Sequence, residues 1–146
     1  MASAKFNIMK SRLMSALMDL DEAGDDMRAI LVMTNTTADT EIDVDQTGSL
    51  TTLDEMDGSA YVRKTCDNQV VATDDANDRA EFTCDALVWT TLGNGTRQVQ
   101  GMLVHEHITN DAASFPAFFS EFTATINPGG STLTVTPNAE GLLQLA

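Results

Sequence analysis

A chain of 146 residues and 15.7 kDa has material for one hydrophobic core and too little for two, so a single domain over residues 1–146 is expected. Its 22 Asp and Glu against eight Lys and Arg give a net charge of −14, a field that repels phosphate backbones and anionic lipid and argues against nucleic acid or a membrane as partner. No apolar run approaches the roughly 18 residues of a transmembrane span. Asn7 and Lys10 interrupt the first stretch before a signal-length apolar core forms, so synthesis in the cytoplasm without export is expected.

The opening residues 1–20 are expected to form a helix or arm. Phe6, Met9, Leu13, Leu17 and Leu20 recur at spacings of three and four and so would share one helical face. An acidic, Gly-containing turn around Gly24 closes it. From Arg28 onward Thr and Val become frequent and turn residues recur, the rhythm of an antiparallel all-β sandwich or barrel over residues 28–146. The apolar run 29–34 predicts a buried strand, and residues 36–58 a long acidic loop with at most one short element. A loop of that length in a small domain is usually functional or mobile.

The segments 61–72 and 79–90, joined by an Asp/Asn-rich turn, predict a hairpin. In the second arm Ala80, Phe82, Cys84, Ala86 and Val88 alternate with polar residues, and Cys66 falls almost opposite Cys84. Further strands are expected over 97–108, through the cluster Phe115, Phe118, Phe119 and Phe122, and over 132–136 after Pro128-Gly-Gly-Ser131. The apolar ending 138–146 suggests a C-terminus tied into the sheet.

Several residues merit a chemical reading. His105 and His107, two apart on a strand, would project from one face and could share a metal, but Glu106 points the other way and no third His exists. Two solvent-facing positions on a half-exposed strand is the plainer reading. Asp43, Asp45, Thr47 and Asp54 have the spacing of a calcium loop, weakened by Asp in place of the usual final Glu and by the lack of a preceding helix. Cys66 and Cys84 could bridge, yet a reducing compartment and an apolar position favour two small hydrophobes. No nucleophile elbow, P-loop or dinucleotide fingerprint is present, so neither an enzyme nor a cofactor is expected. The phenylalanines are expected in the core. Phe6, Met9, Leu13 and Leu17 are candidate partner contacts, since terminal arms are often used for docking.

Asp57-Gly-Ser-Ala-Tyr-Val-Arg63, Asp78-Arg-Ala-Glu-Phe-Thr-Cys-Asp-Ala-Leu-Val-Trp89 and Asn138-Ala-Glu-Gly-Leu-Leu-Gln-Leu145, with the strand Arg28-Ala-Ile-Leu-Val-Met33, follow one another as in a family of small tailed-phage structural proteins that the chain resembles. Cys84 stands where that family often has Asp. The resemblance spans nearly the whole chain and contains no catalytic motif. It implies a mainly β, jelly-roll-like sandwich with one N-terminal helix, located on the capsid surface of the virion as a cement or decoration protein. The implied partners are the major capsid protein and further copies of the chain, in dimers or trimers. A tail, baseplate or head-fibre component, and a carbohydrate- or cell-surface-binding sandwich, are the alternatives.

Overall fold

A computed structural model of the chain describes residues 3–21 and 24–145. Met1 and Ala2, part of the turn before Gly24 and the terminal Ala146 lie outside the described residues. The fold is mainly β and antiparallel, with one α-helix among the described residues. The strands are β1 (Ser3–Lys5), β2 (Met27–Met33), β3 (Lys64–Thr65), β4 (Val70–Asp74), β5 (Arg79–Thr83), β6 (Leu87–Leu92), β7 (Val99–Glu106), β8 (Phe115–Ile126), β9 (Ser131–Val135) and β10 (Leu143–Leu145), and the helix is α1 (Asn7–Met14).

Five strands in the order β1-β8-β7-β2-β3 make the main sheet. Against one face lie a three-stranded sheet, β10-β5-β4, and a two-stranded one, β6-β9. The alternation of side chains along a strand explains the layering. Ala29, Leu31, Met102, Val104 and Phe118 point into the core shared with Phe82, Leu87, Trp89 and Leu143 of the smaller sheets. Their neighbours Ile30, Val32, Leu103 and Phe119 point the other way, and Phe6, Ala38 and Leu50 cover them. Both faces of β2 are therefore buried, which is why its sequence is apolar without alternation. Each large side chain so enclosed contributes about 2–3 kcal/mol of transfer free energy.

The loop over residues 36–58 is thus an outer layer with an apolar underside, where Val44 and Leu53 join Ala38 and Leu50 against the sheet. Its one short element is a 3-10 turn at Thr47–Ser49.

The helix is shorter than its apolar spacing suggested. The Phe6 amide donates to Ala117 O at 3.1 Å and the Asn7 amide to Ile42 O at 2.8 Å, which fixes the start. At the end, the Ala16 amide reaches Leu13 O at 3.2 Å and the Leu17 amide reaches Arg12 O at 2.8 Å, with Ala16 at φ 52°. That pair of bonds around a left-handed residue is the Schellman stop, here built on Ala rather than Gly. The chain reverses and continues extended, so Met18 and Leu20 turn inward while Leu17 stays 60% exposed.

The hairpin is also shorter. β4 and β5 pair from Val70↔Thr83 to Asp74↔Arg79. The expected second arm then breaks at residues 84–86, and β6 enters the two-stranded sheet with its phase inverted. Leu87 and Trp89 point inward while Ala86 and Val88 face out, the reverse of the alternation read from the sequence. The first arm divides likewise: β3 pairs with β2, and only residues 70–74 join the hairpin. The C-terminus is tied down as expected, with Leu143↔Phe82 and Leu145↔Ala80. Gly141, at φ 77°, allows this closure, because a Cβ there would lie 2.5 Å from Phe82 O.

Candidate functional site

The polar residues of the family-like motif converge beneath the acidic loop. Trp89 Nε1 donates to Val62 O at 2.7 Å, anchoring the segment that carries Tyr61 and Arg63. The Tyr61 hydroxyl donates to Glu55 Oε1 at 2.9 Å and accepts from the Leu31 amide at 3.2 Å. Arg63 grips two carboxylates at once, Glu55 at 2.8 and 2.6 Å and Asp111 at 2.5 and 2.8 Å. The fork of five N–H donors is suited to this double grip, which a lysine could not reproduce. Hydrogen bonds from Arg63 hold the Asp111 carboxyl below the usual carboxylate range, and burial pushes the Tyr61 phenol up. Asp57 completes the frame by accepting from the Thr96 amide at 2.7 Å, and Gly58 lets Gly93 O approach to where a Cβ would stand.

His105 lies on the same side and is fully buried, not solvent-facing as the sequence suggested. Its Nδ1 is 3.2 Å from Thr47 Oγ1. Thr47 is held by its amide on Ser114 O, and Gly48 by its amide on Asp111 O, both at 2.8 Å, so the 3-10 turn roofs the histidine. Burial, and next the positive Arg63, push the His105 pKa down to about 4. The rings of His105 and His107 stand 5.9 Å apart. Among the described residues, no three His, Cys, Asp or Glu side chains are grouped to hold a metal ion.

The calcium-like spacing does not gather its oxygens. Thr47 is turned inward to His105. Asp54 accepts from the Asn35 amide at 2.8 Å and from Arg97 at 3.0 Å. Asp43 and Asp45 remain on the exposed surface.

Of the candidate docking residues, Phe6 and Met9 are fully buried and Leu13 packs against the core. Phe6 precedes the helix and Met9 lies on its inner face, so neither is open to a partner, whereas Leu13 is half-buried. The exposed apolar residues of this region are Met14, at 89%, and Leu17. Phe118 and Phe119 are in the core, as expected, with Phe115 and Phe122 packed against it.

Two features had no sequence signal. Arg12 reaches across to Glu106, 3.0 and 2.8 Å from its oxygens, while its guanidinium lies 3.9 Å from the centre of the Phe115 ring. The partners are 94 positions apart, and no local spacing announces them. Second, β8 and β9 follow each other through a four-residue turn without pairing, and between them opens a cleft of about 620 Å³ lined by Phe122, Ile126, Leu133 and Val135 with Lys5 and Glu140.

All five arginines are engaged in ion pairs, Arg28 with Asp26 and Arg79 with Asp74, Glu81 and Glu140 besides those above. Asp39, Asp43 and Asp45 project outward from the loop. The arginines' charge is spent on neighbouring carboxylates, and the outward side of the loop is left acidic. Compared with family models, curated proteins and solved structures, the chain matches none.

Proposed function

We propose that the chain is a non-enzymatic virion structural protein that binds the outside of a phage capsid as a cement or decoration protein, clustered as a dimer or trimer on the major capsid protein. The observation that carries this reading is the use made of the motif residues. Tyr61, Arg63, Asp57 and Trp89, the most distinctive residues of the family-like pattern, serve as braces that hold an acidic loop rigidly over a sheet. A pattern of braces is what a structural role requires. The outward Asp39, Asp43 and Asp45 suit a basic capsid patch, and many modest contacts of this kind add up across a shell.

No helix among the described residues is long and apolar enough to cross a membrane.

A second reading, carbohydrate binding at a cell surface, draws on the cleft between β8 and β9, where Phe122 lies beside Thr134, Asn138 and Gln144. Deletion separates the two. A cement protein leaves particles fragile to heat while adsorption stays normal, and a receptor binder does the reverse. Cryo-electron microscopy of intact particles supplies the direct test: density at capsomer junctions over the whole shell is expected, and density confined to the tail, baseplate or a fibre would overturn the proposal.

A further inference from the structure

Cys66 and Cys84 are both free, both buried, and members of one core cluster. They sit where β4 and β5 leave the body of the protein. The Cys66 amide donates to Met27 O at 2.8 Å, fixing that residue beside β2. The Asp85 amide donates to Asp67 O at 2.9 Å, so the residues that follow the two cysteines are hydrogen-bonded to each other. Asn68 Nδ2 on Asp85 Oδ2 at 2.6 Å reinforces the junction. With residues 67 and 85 bonded to each other and both side chains in one core cluster, Cys66 and Cys84 meet from adjoining segments, and the Cys66 thiol hydrogen-bonds Cys84. The strand they would clamp is β4, an edge strand whose residues 70–73 are exposed and which, among the described residues, pairs with β5 alone.

We propose that Cys66 and Cys84 form an intramolecular disulfide when the folded protein passes from a reducing compartment to one containing a disulfide oxidant, locking the open end of the β4–β5 hairpin. This does not rest on the virion reading. The two thiols are unequal partners. The Cys66 thiol hydrogen-bonds Cys84 and holds its thiol below the usual range, whereas that contact and burial push Cys66 up. Cys84, at the surface-facing end and beside the exposed Asp85 and Ala86, is the attacking sulfur. Its thiolate attacks one sulfur of oxidised glutathione, forming a mixed disulfide and releasing one glutathione thiolate. Cys66 then gives up its proton and attacks the Cys84 sulfur, releasing the second glutathione. Two protein thiols are oxidised and one molecule of oxidised glutathione is reduced to two of glutathione.

The full-length folded protein is equilibrated with excess oxidised glutathione, unfolded under acid quench, and weighed. Expected are a mass lower by two hydrogens, loss of both free thiols, a single peptide joining the two cysteines, and a melting midpoint raised by roughly 5–10 °C. Amide exchange over residues 70–83 slows. Cys66→Ser stops at a glutathione adduct on Cys84, and Cys84→Ser accumulates neither adduct nor bridge. Two thiols still free at equilibrium, a glutathione adduct that persists in the wild type, or bridges between chains would each overturn the proposal. The wild-type mass decides the matter even if a variant fails to fold.

Discussion

Arg12 is the counterion of a carboxylate that has almost no access to water, since the Glu106 side chain is only 2% exposed. Removing one partner of such a pair leaves a buried charge without compensation, which costs far more than the pair itself contributes. Arg12→Ala is expected to lower unfolding free energy by about 3 kcal/mol in urea titrations. Burial already raises the Glu106 pKa, so in the variant the deficit shrinks as pH falls and the carboxyl takes up a proton. His105 works in the opposite sense. Unfolded, it protonates near 6.5, whereas the folded group, desolvated and facing Arg63, resists until about pH 4. Between those values the unfolded state binds a proton that the folded state refuses, so stability falls on acidification across this window, by about 3 kcal/mol for a shift of that size, and levels off below it. His105→Asn keeps a polar group toward Thr47 without titrating and is expected to flatten that slope. An unchanged slope would assign it to another group.

At the scale of elements, the Schellman stop of α1 carries a visible cost, because Ala16 holds φ 52° where Gly would be unstrained. Ala16→Gly is expected to raise the melting midpoint slightly, by about 0.5–1 kcal/mol of stability, with no change elsewhere. The same reversal shows where reading the sequence reached its limit. Leu13, Leu17 and Leu20 fit a helical stripe by spacing, yet Met18 and Leu20 are buried on an extended segment of period two. Short apolar patterns satisfy both periods, and only the hydrogen-bonded stop separates them. The buried strand β2, the acidic turn of the hairpin, the turn at Pro128 and the docked C-terminus were legible because local chemistry dictates each. The inversion at residues 84–86 was not, since Cys84, Ala86 and Val88 alternate well enough to look like one strand. The site divides in the same way. Arg63 and Tyr61 were visible as a motif, whereas their partners Glu55 and Asp111 depend on how the loops cross, and His105 was read on the wrong side of the surface.

For the whole molecule, charge is sorted rather than merely abundant. Every arginine is paired with a carboxylate, Arg12 and Arg63 largely beneath the surface and Arg97 on it, while Asp39, Asp43 and Asp45 face outward. Neutralising those three together with Asn is expected to leave the melting midpoint unchanged or raised, because self-repulsion falls. In a rebinding assay on particles stripped of the protein, affinity is expected to fall and to lose part of its salt dependence. Unchanged binding would mean that the acidic loop faces solvent and that a different surface meets the shell. The sequence marks residues 36–58 as a long acidic loop, and Asp39, Asp43 and Asp45 are exposed on it. Its apolar underside escaped notice because Ala38, Val44, Leu50 and Leu53 follow no regular period.

The pairing of β1 with β8, Ser3 opposite Ser120, sets an order of events in time. β1 has no partner until β8 is in place, and β10 must reach back past four intervening strands to pair with β5. Native contacts of such long sequence separation make folding slow, on the order of milliseconds to seconds. Closure of β1 onto β8 is therefore a late step, and until it happens unpaired strand edges are exposed to neighbouring chains.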